Sequence, residues 1–131
     1  MSFVQRLKDC NKYKESNFFK FFINSHHVGF IKKKNLNIIN KFPNYFLFQK
    51  NKIFLKKEIN NFQKRTYAVN KVFNFLLKQK LISSKHREFF PVFKSFKTKP
   101  LLKVQRLIGP FFGFQFFGVH LNGFLKKNNK Y

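Results

Sequence analysis

The run Phe18-Phe19-Lys20-Phe21-Phe22-Ile23, followed by Asn24-Ser25 and then His26-His27-Val28-Gly29-Phe30-Ile31, leaves the chain little choice of local structure. Two stretches of aromatic and branched residues flank a two-residue turn candidate, which is the pattern of a β-hairpin. Gly29 inside the second stretch marks a bulge or a close backbone approach. His26 and His27 are neighbours on a strand and so point to opposite faces. No Asp, Glu or Cys lies near them in sequence, so they read as turn-flanking surface or edge residues rather than metal ligands. A second hairpin is expected from Tyr45-Phe46-Leu47-Phe48 and Ile53-Phe54-Leu55, with Asn51 supplying the turn.

Helical patterns surround these hairpins. Ser2 can cap a short helix over residues 3–11, with Phe3, Leu7 and Cys10 on one face and Val4 beside them. Residues 32–41 are helical in pattern, and Phe42-Pro43 ends them. The longest helix is expected over residues 60–80, where Val69, Val72, Phe73, Leu76 and Leu77 form the apolar stripe. Residues 90–93 look extended, and residues 101–107 read as a strand with Pro100 just before its start. Gly109-Pro110 and Gly113 read as turns, and residues 116–124 as a last strand. The fold class is therefore α+β: a small, mostly antiparallel sheet of hairpins packed with about three helices.

The charge is extreme, with 28 Lys+Arg against 4 Asp+Glu and a formal net of +24. Phosphate neutralisation would make such a chain bind nucleic acid, at least weakly and without sequence preference. Yet Lys far outnumbers Arg, whose fork suits phosphate and base edges better. Lys, Asn, Phe and Ile share A/T-rich codons, and the lysines spread along the whole chain, so coding bias is the simpler origin. No helix-turn-helix, zinc-finger, RRM or KH motif is visible. One cysteine, Cys10, allows no internal disulfide. No run of about eighteen apolar residues exists, so no transmembrane helix is expected. The start of the chain has no secretory apolar region. A cytoplasmic location is expected, and an organellar one stays open.

Taken in order, short motifs resemble one family across nearly the whole chain. They are Leu7-Lys8-Asp9-Cys10-Asn11, Val28-Gly29, Phe42-Pro43-Asn44-Tyr45-Phe46, Arg65-Thr66-Tyr67-Ala68-Val69, Glu88-Phe89-Phe90-Pro91-Val92, Gln105-Arg106, Pro110-Phe111-Phe112-Gly113 and Phe117-Gly118-Val119-His120-Leu121-Asn122-Gly123-Phe124. Together they resemble the domain of unknown function that precedes the catalytic domain in thiamine-pyrophosphokinase-related Nudix hydrolases. Departures include Gln105 in place of an acid, and Phe90, Phe117 and Phe124 in place of tyrosines.

The resemblance implies that residues 1–114 form the leading domain and residues 115–131 the truncated opening of a Nudix domain, whose first strand ends the chain. Nudix hydrolysis of a diphosphate needs a helix carrying several carboxylates around Mg²⁺ or Mn²⁺. The acids here are Asp9, Glu15, Glu58 and Glu88, far apart, and no Nudix box is present. The chain alone is expected to carry no cofactor and no catalytic residue. The metal would come only with a Nudix domain, missing or supplied as a separate partner chain. Intact relatives are implied to act on thiamine diphosphate-like compounds. Arg106, His120 and Asn122 are the residues expected nearest any ligand, and a small basic nucleic-acid-binding protein is the alternative. Phe111, Phe112, Phe114, Phe116 and Phe117 are expected to include contacts for the absent domain.

Overall fold

The computed structural model describes residues 2–10, 14–83 and 88–123. The first hairpin forms as expected, with β1 over Phe18–Ile23 and β2 over His26–Lys32. Asn24 takes a positive φ of 54° in the turn, a conformation Asn tolerates better than most residues. The register slips between Phe21 and Phe22, opposite Gly29 and His27, so Val28 is the extra, bulged residue. β3, Phe46–Gln49, and β4, Lys52–Leu55, form the second hairpin. Its turn residues Lys50 and Asn51 both have positive φ, the requirement of the tight hairpin turn whose twist matches the strands.

The two hairpins join edge to edge into a four-stranded sheet of order β2-β1-β4-β3. The central pair, β1 and β4, is parallel. A second, two-stranded antiparallel sheet comprises β5, Phe89–Phe93, and β6, Pro100–Gln105. The chain therefore builds two small sheets rather than one, and the mixed sheet arises because its middle strands belong to different hairpins.

Among the described residues four α-helices accompany the sheets: α1 over Phe3–Cys10, α2 over Leu36–Ile39, α3 over Phe62–Lys78 and α4 over Gly109–Phe112. Ser2 caps α1 by accepting from the Gln5 amide at 3.2 Å. The apolar face of α1 stays uncovered, with none of its side chains buried. A 3₁₀ turn, Lys33–Asn35, leads into α2. Asn61 caps α3, its Oδ1 accepting from the Lys64 amide at 2.9 Å. Ala68, Val69, Val72, Phe73 and Leu76 are the buried stripe of α3.

The start of α3 is stapled to its surroundings by Arg65 and Thr66. Arg65 donates to the carbonyls of Ile59 (3.3 Å), Asn60 (3.2 Å) and Leu101 (3.4 Å). Thr66 Oγ1 accepts from the Lys103 amide of β6 at 3.0 Å. The inner face of the large sheet, with Phe19, Phe21, Ile23, Ile31, Ile53 and Leu55, shares one core with α3, β5, β6 and α4.

Three expectations are corrected here. Gly109-Pro110 opens a helix rather than a turn, because Pro at a helix start needs no amide partner and has its φ already set. Residues 106–107 leave β6 and enter a 3₁₀ turn, Arg106–Ile108. Residues 116–123 form no strand, since none of their backbone groups is paired with β5, β6 or the large sheet. Phe124 lies outside the described residues, as do the loop positions 11–13 and Ser84.

Candidate functional site

The Phe-rich end of the chain divides between core and surface. Phe112 and Phe114 stack at 5.2 Å between centroids, and Phe21 packs 5.3 Å from Phe112. Both Phe112 and Phe114 are buried in this domain's own core, so neither is left for an outside partner. Phe111 and Phe116 are partly buried, and Phe116 lies 5.0 Å from Phe90. Phe117 is exposed and forms a surface cluster with Phe93 (6.1 Å) and Phe96 (5.3 Å). Val119 and Leu121 beyond it are 91% and 95% exposed.

A backbone interlock anchors this end. A Cβ at Gly29 of β2 would overlap the carbonyl oxygen of Phe112, and a Cβ at Gly113 would overlap the carbonyl oxygen and amide nitrogen of Phe30. Gly113 also sits at φ 61°, capping α4 in the left-handed region. Side chains at either position would push the two backbones apart.

The expected ligand-proximal residues fall in different settings. Arg106 begins the 3₁₀ turn after β6, donates from Nη1 to the Glu88 carboxylate at 3.0 Å and sends its amide to the Glu88 carbonyl at 2.7 Å. Its guanidinium is thus an exposed ion-pair partner closing the end of the small sheet. His120 and Asn122 are exposed on the irregular segment 115–123, and no hydrogen bond or ion pair links either to Arg106. The acids do not fit a diphosphate-binding metal: among the described residues no three His, Cys, Asp or Glu side chains converge.

The side of the large sheet away from the core carries a different arrangement. Strand pairing sets two adjacent rows across the four strands. One row is Phe30, Lys20, Lys52 and Gln49, and the next is His27, Phe22, Phe54 and Leu47. Phe22 and Phe54 stack at 5.4 Å, His27 lies 5.4 Å from Phe22 and 4.6 Å from Phe30, and the Lys52 ammonium sits 5.4 Å from the Phe22 centroid. His27 Nε2 donates to the Gly29 carbonyl at 2.9 Å, fixing the ring over the bulge.

Beyond Phe54 the face opens into a groove of about 830 Å³ lined by Asn24, Ser25, Leu47, Gln49, Phe54 and the segment 55–58. Sequence reading found the strands but not this surface. The signal was present in β1 as Lys20 and Phe22 alternating with buried Phe19, Phe21 and Ile23.

Elsewhere the lysines form solvated faces. On α3 the Lys71 ammonium lies 4.8 Å from the Tyr67 ring centroid, and its pKa is raised by a hydrogen bond that it donates to the Tyr67 side chain and by the negative charge of the Tyr67 phenolate.

Comparison with known proteins places the chain in a family. Residues 2–116 match the family described as "Domain of unknown function (DUF4743)". The chain is 27% identical over 139 aligned positions to a protein of Arabidopsis thaliana named Nudix hydrolase 20, chloroplastic, covering 98% of this chain and 37% of that protein. It is 26% identical over 132 positions to Nudix hydrolase 24, chloroplastic, of the same plant, covering 98% of this chain and 36% of the relative. The chain thus spans little more than a third of the length of these curated relatives. Among the described residues no helix is long and apolar enough to cross a membrane.

Proposed function

The chain belongs to the DUF4743 family, and from that premise we propose that it is the non-catalytic leading domain of a Nudix-type hydrolase acting on thiamine diphosphate-like compounds. The observation that carries the reading is the alignment of 98% of this chain with about a third of each of two proteins named Nudix hydrolases. The sequence supplies no cluster of carboxylates for the metal that diphosphate hydrolysis requires. Catalysis, and the Mg²⁺ or Mn²⁺ it uses, would then belong to a Nudix segment joined to residues 1–114 or supplied by another chain, with residues 115–131 as its opening. The cluster of exposed Phe96 and Phe117 with half-buried Phe93, next to Val119 and Leu121, is the surface such a segment would cover. Arg106, His120 and Asn122 would lie near the ligand only once that segment is seated. The names of the relatives favour an organellar address over a cytoplasmic one.

The test joins the chain to the catalytic segment of either relative and compares that fusion with the segment alone and with the 131-residue chain alone. Phosphate release from thiamine diphosphate in Mg²⁺ is the readout. The fusion is expected to have the higher kcat/KM, and the chain alone none. Hydrolysis by the chain alone, or equal kinetics for segment and fusion, would overturn the proposal.

A further inference from the structure

The outer face of the large sheet has a feature that folding does not explain. Lys20 of β1 and Lys52 of β4 are direct lateral partners, both exposed, and no acidic residue stands in either row. Like charges side by side on neighbouring strands destabilise a sheet. The neighbouring row holds three rings, His27, Phe22 and Phe54, where a solvated sheet face ordinarily carries polar side chains. Two residues along a strand separate the rows by about 7 Å, and four strands span about 14 Å across them. Two adjacent cations thus stand beside a line of aromatic and apolar side chains, and that line ends in the open groove at Leu47 and Phe54. Lys56 and Lys57 also line the groove, together with one carboxylate, Glu58, so its lining keeps a net positive charge.

We propose that this face binds single-stranded nucleic acid. The strand crosses the β-strands, with phosphates along Lys20 and Lys52, bases against His27, Phe22 and Phe54, and one base entering the groove beside Phe54. The occupant follows from chemistry on this face. A polyanion neutralises the paired ammoniums, and every base offers a flat surface to a ring. A duplex would meet the lysines but not the rings, because its bases are already stacked on one another. A phosphate ion would use the cations only. A protein partner would need carboxylates facing Lys20 and Lys52, and this chain's own acids, Asp9, Glu15, Glu58 and Glu88, lie outside both rows.

The net charge of +24 will attract any nucleic acid, so the test must separate the face from the field. Fluorescein-labelled U10 and dT10, and a duplex of equal charge, are titrated with the full chain at 0.15 M salt, with anisotropy as readout. Lys20→Gln/Lys52→Gln is compared with Lys64→Gln/Lys78→Gln on α3, which removes the same charge elsewhere. The first pair removes a repulsion, so its fold is retained, as far-UV circular dichroism will show. It is expected to weaken U10 and dT10 binding roughly tenfold and to lower the salt slope by about 1.4, while the α3 pair changes affinity less than twofold. Phe22→Leu/Phe54→Leu keeps the charge and the apolar bulk. It is expected to weaken single strands roughly tenfold and to leave the duplex unchanged. Equal effects of the two lysine pairs, duplex bound as tightly as single strand, or full affinity in the Phe→Leu variant would each overturn the proposal. A preference between U10 and dT10 identifies RNA or DNA as the ligand. None of these readouts depends on hydrolase activity.

Discussion

Gly29→Ala tests the interlock on which the C-terminal third of the domain depends. The added methyl would overlap a backbone carbonyl, that of Phe112, rather than the movable end of a side chain. Relief requires α4 to move away from β2. The Phe112 ring is fully buried and sits in contact with Phe21, Phe46 and Phe114, so it cannot move without opening the core. Overpacking of this kind costs ~1–3 kcal/mol, and loss of a buried Phe from its site costs ~3–5 kcal/mol. The entropy that Ala removes from the unfolded chain offsets ~0.4–1 kcal/mol. The net expectation is about 2–3 kcal/mol of destabilisation. With an unfolding entropy of roughly 2 cal/mol/K per residue, that lowers Tm by about 10 °C for a domain of this length. With a urea m-value of about 1.5 kcal/mol/M, it lowers the midpoint by nearly 2 M. Circular dichroism is the appropriate probe, because the chain has no Trp. Salt must be held constant, since screening changes the self-repulsion of so basic a chain. Gly118→Ala is the internal control, because a Cβ there meets nothing within 4 Å. Its stability should stay within about 0.5 kcal/mol of the parent. If Gly29→Ala matched that control, α4 would not lie against β2 and the reasoning would fail.

Three further outcomes are expected. Arg65→Lys cannot reproduce a planar fork that reaches three carbonyls, and should cost about 1–2 kcal/mol in urea unfolding; no change would mean that the Ile59, Asn60 and Leu101 carbonyls are satisfied by water. Asn61→Ala removes the cap of α3 and should cost about 1 kcal/mol, whereas Asn61→Asp should restore most of it by the same denaturation measurement. Tyr67→Phe removes the phenol that raises the Lys71 pKa, so NMR titration of the lysine side chain should find that pKa lower than in the parent. The sign follows from the raised folded value: the Tyr67 contribution is complete below the unfolded Lys pKa and is lost as pH rises through the folded one, so any stability difference between the parent and the variant should be fully present at neutral pH and disappear only in strong alkali.

Both hairpins, the long helix and its buried stripe were legible in the sequence because each is specified locally. Asn24, Lys50 and Asn51 mark the turns, and Val69, Val72, Phe73 and Leu76 recur at helical spacing. The joining of the hairpins was not legible. The pairing of β1 with β4 is parallel and non-local, and no turn chemistry announces it. The second sheet was legible in part: residues 101–107 read as a strand and residues 90–93 as extended, but no turn signal between them announced their antiparallel pairing. Residues 116–123 have a strand-like composition, but a strand also needs a backbone partner, which composition cannot report. Of the expected site, Arg106 was singled out for its charge, while its partner Glu88, eighteen residues away, could be assigned only in three dimensions. The two rows on the outer sheet face depended on β1–β4 pairing and so were hidden with it.

Placing the motif residues in the fold separates them into two kinds. Gly29 and Gly113 are required by the approach of β2 to α4, Arg65 and Thr66 by the junction of α3 with β6, and Phe112 by the core. Each has a sufficient reason inside this domain, so the resemblance these residues carry is a resemblance of packing and says little about chemistry. Gly118, Val119, His120, Leu121, Asn122 and Gly123 differ. All are exposed, and neither glycine has a neighbour that would exclude a side chain. A glycine with open space around it and no positive φ serves nothing in the unit to which it is attached, and Val119 and Leu121 lose rather than gain free energy by facing water. This contrast supports the proposed hydrolase segment as the place where residues 118–123 find partners, whereas Phe116, packed on Phe90 and included in the family match, belongs with the core on the far side of the proposed boundary after residue 114. It also separates the two proposals spatially: the segment 115–123 follows α4, whereas the paired lysines stand on β1 and β4 and do not require that segment. Losing one reading would therefore leave the other standing.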